Sequence, residues 1–142
     1  SLLLLVSLSS VLRADTNDAA IRAIHFADAK EGWAVGDEGV IWHTIDAGKT
    51  WERQNSGTKA SLRGVQFLNP YTGFAVARME LPNLKTAGMV LSTSDGGLTW
   101  KILSAGSLPG LNGIKFFDEK NGIVYGDGSD GSPTGIFRTV DG

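Results

Sequence analysis

The sequence predicts an all-β protein assembled from repeated four-stranded antiparallel sheets. A β-prone run followed by a turn of the form Thr-x-Asp-x-Gly-x-Thr-Trp occurs at residues 44–51 and 93–100 and begins again at residue 139, so the copies start 49 and 46 residues apart. The chain has 19 Gly and only four Pro, which favours short strands joined by tight turns. Four-stranded units at this period are typical of a β-propeller, and the chain is predicted to be a partial arc of about three blades.

Length and composition indicate one globular domain. The 142 residues are 42% hydrophobic and 20% charged, and the formal net charge is -2. Without a basic excess, nucleic acid is not an expected partner. The chain has no Cys, which excludes disulfides and cysteine-ligated metals but not export.

The first residues suggest a targeting segment. Residues 1–12 are rich in Leu and are followed by small and polar residues at 13–18. The run is too short to span a bilayer as a helix but resembles the apolar core of a secretory signal with a cleavage position at Ala14. We therefore expect residues 1–14 to be a signal-peptide remnant, residues 15–142 to be the propeller, and the protein to be exported to the periplasm or outside the cell. A lone buried strand and the last strand of a preceding blade are the alternatives.

The strands of each unit follow from apolar alternation. A first strand of the pattern apolar-polar-apolar ends at a Phe, and seven residues later a Gly-preceded apolar residue opens a second strand. The first strands are at residues 24–26, 65–67 and 114–116, and the second at 33–36, 74–77 and 123–126. The blades are therefore expected at about residues 21–60, 61–110 and 111–142, the last incomplete.

The units differ in length at one connection. From the first-strand Phe to the turn Asp the distances are 20, 28 and 25 residues, although the intervening second strands align without gaps. The difference therefore falls between strands two and three, in expected loops at residues 37–39, 78–88 and 127–135. In an up-and-down blade these loops lie at the end opposite the Asp turns, and such a variable rim is often the binding face.

The Asp turns are predicted to be structural. An Asp accepts hydrogen bonds from nearby amides, the Gly tolerates a positive φ, and the Trp packs as a large apolar surface. An acid repeated in every blade does not behave as a unique catalytic group, so no catalytic residue is predicted. The residues assigned to these turns are Thr44, Asp46, Gly48, Thr50, Trp51, Thr93, Asp95, Gly97, Thr99, Trp100, Thr139 and Asp141.

Five charged residues are candidates for a binding rim. Asp37, Arg78 and Asp127 each lie eleven residues after a first-strand Phe, at the mouths of the variable loops. Arg22 and Arg63 lie four residues before Phe26 and Phe67, on strands that would line the central channel. The competing interpretation is that these are solvated surface charges and ion pairs.

No metal or other cofactor is predicted. The run from Asp127 to Ser132 is rich in oxygen ligands but lacks the later bidentate Glu and the spacing of an EF-hand loop. His25 and His43 are single and show no metal-ligand spacing.

The turns resemble the Asp-box (BNR) repeat shared by sialidases, other glycoside hydrolases, sortilin-type receptors and photosystem II stability and assembly factors. The longer phrase, Ile-His-Phe at 24–26, Gly-Trp-Ala-Val-Gly at 32–36 and Gly-Val-Ile at 39–41, looks most like a blade of the photosystem II assembly factors. The resemblance covers residues 21–142. It implies a non-enzymatic scaffold that holds a protein partner, the photosystem II reaction-centre precursor, and in a photosynthetic organism a location in the thylakoid lumen.

The alternative function is a glycoside hydrolase or sialidase that acts on carbohydrate. Such an enzyme needs two carboxylates about 5–9.5 Å apart across a sugar, or a Tyr nucleophile. The Arg-Ile-Pro start usual in sialidases of this type does not occur in these 142 residues, and the neighbouring acids Asp37 and Glu38 lie on a tight turn. The scaffold is therefore favoured, and catalytic residues in other blades remain the alternative.

Overall fold

The computed structural model describes residues 19–142, so the signal segment expected at residues 1–14 lies outside the described residues. Its strands are β1 (Ile21–Phe26), β2 (Gly32–Gly36), β3 (Val40–Thr44), β4 (Glu52–Asn55), β5 (Ser61–Phe67), β6 (Gly73–Glu80), β7 (Thr86–Thr93), β8 (Lys101–Ala105), β9 (Leu111–Phe116), β10 (Gly122–Gly126) and β11 (Ile136–Thr139). Two short 3-10 turns cover Asp37–Gly39 and Pro82–Leu84. Within residues 19–142 no helix has the length and apolar character needed to cross a membrane.

The strands form three antiparallel sheets in which each strand pairs with its neighbour in sequence. The orders are β1-β2-β3-β4, β5-β6-β7-β8 and β9-β10-β11. These up-and-down meanders confirm the predicted all-β fold of partial propeller blades. Sequence reasoning placed the start of the first strand three residues late, because β1 begins at Ile21 rather than at residue 24.

The second sheet is buried on both faces. Along β6, Ala75 and Ala77 pack into a core shared with the first sheet, whereas Val76 packs into a core shared with the third. On β7, Leu91 and Val90 divide between the same two cores. Because successive strand side chains point to opposite faces, a continuous apolar run is what a doubly covered sheet requires.

Parallel aromatic rings join neighbouring sheets. Trp33 of β2 stacks on Phe67 of β5, with ring centroids 3.5 Å apart. Phe74 of β6 stacks on Phe116 of β9 at 3.9 Å. The Gly that begins each second strand makes room for the ring of the first-strand Phe in its own sheet, because a Cβ at Gly73 would come within 2.5 Å of Phe67.

The loop expected at residues 78–88 is wrong in extent. Strands β6 and β7 continue to Glu80 and from Thr86, and Met79 pairs with Ala87 between them. Only residues 81–85 connect the strands. The strands stay paired here because Met79 packs against the first core and Ala87 is buried. A count of inserted residues does not distinguish such a paired extension from an unstructured loop.

Candidate functional site

The sheets have two ends, which we name by their turns. The loop rim comprises residues 37–39, 81–85 and 127–135 together with the adjoining starts of β1, β5 and β9. The Asp rim comprises the turns at residues 27–31, 45–50, 68–72, 94–99, 117–121 and 140–142. Adjacent strands run antiparallel, so successive turns alternate between these ends.

On the Asp rim, the carboxylate of each repeated Asp accepts hydrogen bonds from residues of its own turn. Oδ1 of Asp46 accepts the Thr50 amide at 2.8 Å and the Thr44 hydroxyl at 2.9 Å, and Oδ2 accepts the Thr50 hydroxyl at 2.6 Å. The Thr50 bonds are the main reason that the pKa of Asp46 falls to about 2. Asp95 has the same contacts with Thr93 and Thr99, and its pKa is also about 2. Such a carboxylate stays ionised and holds its turn.

The third turn and the Gly positions follow the same plan. Thr139 donates its hydroxyl to Asp141 at 3.1 Å. Gly48 and Gly97 have φ values of 86° and 88°, which is the left-handed region that Gly adopts at low cost. Their amides each donate to the preceding Thr hydroxyl at 2.9 Å.

The turn Trp residues lie against the first-strand Phe residues. Trp51 makes an edge-to-face contact with Phe26 at 6.4 Å, and Trp100 makes the same contact with Phe67 at 5.9 Å. Trp51 also donates its indole N–H to the Gly48 carbonyl at 3.1 Å. These contacts are packing within a single sheet.

On the loop rim, Asp37 joins the first and second sheets. Arg22 donates to both carboxylate oxygens of Asp37, at 3.0 and 2.6 Å, and Ser61 of β5 donates its hydroxyl at 2.6 Å. These bonds, with Arg22 first, lower the pKa of Asp37 to about 2. The predicted residues Arg22 and Asp37 therefore form a bidentate pair rather than two free charges.

Asp127 joins the second and third sheets in a comparable way. Arg78 donates to Asp127 Oδ1 at 2.8 Å and also to Glu80 at 2.7 Å. Thr86 donates its hydroxyl to Asp127 Oδ2 at 2.6 Å and accepts the Gly110 amide at 2.8 Å. The bonds from Arg78 and then Thr86 lower the pKa of Asp127.

Arg63 differs from Arg22 and Arg78, the other two arginines predicted for the rim. It is the extra residue of a β-bulge in β5, as Arg22 is in β1 and Asn112 in β9. Its Nε donates to Ser61 Oγ at 2.8 Å. Among residues 19–142 it makes no ion pair, although its charge also lowers the pKa of Asp37.

The structure therefore brings the five predicted rim residues into one line across three sheets. Ser61 bonds Asp37 and also pairs with Arg78 across β5 and β6, and Arg78 in turn bonds Asp127. Sequence reasoning missed Ser61, Thr86 and Glu80. The period of two along a strand places Ser61 beside Arg63, which is a signal that could have identified it.

The histidines and the acidic loop show no metal cluster. His25 Nε2 lies 3.0 Å from the Phe67 carbonyl oxygen, and His43 Nε2 lies 2.9 Å from Glu31. Ser129 and Ser132 bond each other through their backbones. Throughout residues 19–142, no group of three or more His, Asp or Glu side chains is placed to hold a metal ion.

Comparisons with known proteins point to one family. The family model described as photosynthesis system II assembly factor YCF48 matches residues 7–85, more than half of the chain. A solved structure titled "YCF48 bound to D1 peptide" is similar at 26% identity with a TM-score of 0.67, covering 87% of this chain and 37% of that one. YCF48 from Cyanidioschyzon merolae has the same fold at 21% identity with a TM-score of 0.62, covering 86% of this chain and 34% of that one.

The chain thus spans little more than a third of the solved structures that it matches. No curated protein matches it. The family match, the stacked four-stranded sheets and the repeated Asp turns agree, and the chain belongs to the photosystem II assembly factor YCF48 family.

Proposed function

We propose that this chain forms part of a non-enzymatic β-propeller scaffold that holds a protein partner on its loop rim during photosystem II assembly. Family membership supports this, as does similarity to a solved structure of YCF48 bound to D1 peptide. The partner proposed here is accordingly the D1 protein or its precursor.

The observation that carries the proposal is the cation of Arg63. Its Nε is held by Ser61, which leaves the two terminal amino groups of the guanidinium available to a bidentate acceptor. The side chain is half-buried, so a carboxylate bound there is partly shielded from water and the charge-assisted bond is strengthened. A carboxylate of a partner polypeptide matches this geometry.

The neighbouring groups prepare the same position. Arg22 is already neutralised by Asp37, and Arg78 by Asp127 and Glu80. The Ser61 hydroxyl donates to the Asp37 carboxylate and accepts the Nε–H of Arg63. Arg63 is therefore held in place without an ion pair that would neutralise its charge. We infer that Arg63 selects an anionic group and that the paired charges around it set the position of the partner.

The uneven height of the loop rim supports a shaped protein interface. The β6–β7 hairpin has eight-residue strands, whereas β2 and β3 have five residues each. Leu84 lies at the tip of that hairpin and is 99% exposed. A projecting apolar side chain and a cation without an ion pair at the same end of the sheets offer two different contacts to one partner.

The carboxylates give no support to the glycoside hydrolase alternative. A general acid of that class needs a raised pKa. The pKa values of Asp37, Asp46, Asp95 and Asp127 are all lowered, and each of these carboxylates accepts hydrogen bonds from the protein's own groups.

The test uses the full chain and a fluorescently labelled D1 peptide. Arg63→Gln is expected to weaken binding by roughly tenfold, because it removes one charge-assisted bidentate contact. Arg63→Lys should recover only part of the loss, since an ammonium group does not form the same fork. Arg138→Gln, which removes a charge from β11, is the matched control. Equal affinity of Arg63→Gln and the unaltered chain would contradict the proposal.

We further propose export of the protein, to the thylakoid lumen in a photosynthetic host and to the periplasm or outside the cell otherwise. The Leu-rich residues 1–12 and the small residue Ala14 support this. N-terminal sequencing of protein recovered from the exported fraction should begin at or after Asp15. A mature protein that begins before Leu12 would rule out this cleavage.

A further inference from the structure

Large apolar side chains project from the turns of the Asp rim, where polar residues are usual. Each is between 62% and 76% exposed. Turns ordinarily carry Gly, Pro, Asn, Asp and Ser, and contiguous exposed apolar side chains in soluble proteins mark interaction sites. The residues are Ile45, Tyr71, Leu98, Phe117 and Val140.

Backbone hydrogen bonds hold these turns together in pairs. The Gly96 amide donates to the Tyr71 carbonyl at 2.9 Å, which joins the turn that carries Leu98 to the turn that carries Tyr71. The Gly142 amide donates to the Lys120 carbonyl at 2.9 Å and joins the turns of Phe117 and Val140 in the same way. The exposed side chains are therefore presented on fixed backbone rather than on independent loops.

The pairs are also connected from sheet to sheet. Trp33 of the first sheet donates its indole N–H to the Gly96 carbonyl in the second-sheet turn, at 3.1 Å. Between the second and third sheets, Thr72, Ser94 and Glu119 line a shared depression of about 360 Å³. The Asp rim is therefore one continuous surface across the three sheets.

Charge indicates what this surface binds. Its turns contain seven carboxylates and three lysines, a formal balance of -4, whereas the remainder of the chain holds eight acids against ten bases. Internal hydrogen bonds lower the pKa of Asp28, Asp46, Asp95 and Asp118, so these groups keep their charge at neutral pH. A surface of this sign repels anionic lipid and nucleic acid and attracts cations.

We propose that the Asp rim is a second protein-docking surface, which binds a polypeptide segment that combines Lys or Arg with apolar side chains. The apolar contacts supply the buried area and the negative field selects basic partners and speeds their association. The surface lies at the end of the sheets opposite Arg63, so it operates independently of the loop rim, and a scaffold with both surfaces holds two polypeptides at once.

The test measures binding of a labelled peptide that alternates leucine and lysine to the full chain, beside a peptide that alternates leucine and glutamate. The leucine-lysine peptide is expected to bind, and binding should weaken with added salt because the charge attraction is screened. The double variant Tyr71→Ser with Phe117→Ser should bind it roughly tenfold more weakly, since two apolar contacts are lost. Glu119→Lys should also weaken binding.

The control is Ile136→Ser, which removes a comparably exposed apolar side chain, 55% exposed, from β11 and outside both rims, and should leave affinity unchanged. Equal binding of the two peptides, absence of binding by the leucine-lysine peptide, or indifference of its affinity to the double variant would overturn the proposal. Binding to phosphatidylglycerol vesicles that the double variant abolishes would also overturn it, in favour of a lipid surface. All substituted side chains are exposed, and circular dichroism of each variant verifies that the fold is retained.

Discussion

Between the first and second sheets Trp33 stacks on Phe67, whereas between the second and third sheets Phe74 stacks on Phe116. Beside each stack, the side chain of the residue that precedes a first-strand Phe forms hydrogen bonds with the backbone of the first-strand Phe in the next sheet. His25 makes one contact, to the Phe67 carbonyl oxygen, at 3.0 Å. Gln66 makes two with Phe116, donating to its carbonyl at 2.8 Å and accepting its amide at 2.5 Å.

The two interfaces therefore achieve one geometry by different means. The first combines a larger ring with a partly exposed histidine, and Trp33 adds its bond to the Gly96 carbonyl. The second combines a smaller ring with a buried side-chain amide that makes two hydrogen bonds, and Arg78 adds an ion pair to Asp127. The comparison indicates that the repeat specifies the position of each contact and leaves its chemistry free to vary, because the same space can be filled by apolar area or by paired polar groups.

The largest expected effect is at the ring of the first interface. Trp33→Ala removes a fully buried indole and should lower the free energy of unfolding by about 3–5 kcal/mol. Trp33→Phe, which copies the second interface, should cost clearly less because most of the stack is retained. Urea denaturation measures both, with the exposed Leu98→Ala as control. Similar losses for Trp33→Ala and Leu98→Ala would show that the first interface is not formed in solution.

The next effect separates the two polar contacts. Gln66→Leu preserves volume but leaves the amide and the carbonyl of Phe116 buried and unpaired, and should cost about 2–4 kcal/mol. His25→Leu removes a single, partly buried hydrogen bond to the Phe67 carbonyl and should cost about 1 kcal/mol or less. The same denaturation experiment compares them. An equal or larger loss for His25→Leu would contradict the difference between the interfaces.

A smaller effect is expected at the ion pair of the second interface. Asp127→Ala removes the bonds from Arg78 and Thr86, but the Asp127 side chain is 37% exposed. Solvent screening therefore limits the expected loss of unfolding free energy to about 0–1 kcal/mol. The loss should shrink at high salt. A salt-independent loss of several times this size would mean that the pair is shielded from solvent.

The smallest effect is a pH dependence confined to the first interface. Burial lowers the pKa of His25 and nearby Lys115 acts in the same direction, while the bond to Phe67 opposes them. Because the folded pKa lies below the ordinary value of 6.5, the unfolded chain binds the proton first as pH falls. The contribution of His25 is therefore complete above pH 6.5 and is lost as pH falls through the folded pKa.

His25→Gln, which copies the second interface, should remove this slope. The difference in unfolding free energy between His25→Gln and the unaltered chain is measured at pH values above and below 6.5. Asp37, Asp46 and Asp95 do not interfere, because their pKa values are about 2 when folded and their ordinary value is 3.8. A difference that stays constant across this range would contradict the prediction.

Local pattern predicted the repeated parts of the fold. The Asp turn needs only contacts between residues at most four apart, such as Thr44, Asp46 and Thr50, so its geometry can be inferred from one copy. The extent of the β6–β7 hairpin could not be inferred, because the core beneath an inserted segment determines whether it forms paired strands or a loop. Met79 and Ala87 pair because the underlying core continues to the loop rim.

For the candidate site, the sequence predicted the positions of the charged residues but not their ion pairs. Equivalent spacing identified Asp37, Arg78, Asp127, Arg22 and Arg63, but spacing does not reveal which charges neutralise one another. Ser61 is the residue that distinguishes them, because it bonds both Asp37 and Arg63. It belongs to a different sheet from Asp37, so no local pattern connects the two.

The sequence by itself determined the strands, the order of pairing within each sheet and the Asp turns, because these depend on alternation and on hydrogen bonds between near neighbours. Only the tertiary structure decided which faces of the second sheet contact which core, which of the predicted rim arginines form ion pairs, and which turns of the Asp rim are joined to one another. These properties depend on contacts between residues that are far apart in sequence and belong to different sheets, such as Arg78 and Asp127, which are 49 positions apart. Such contacts form only when the sheets stack.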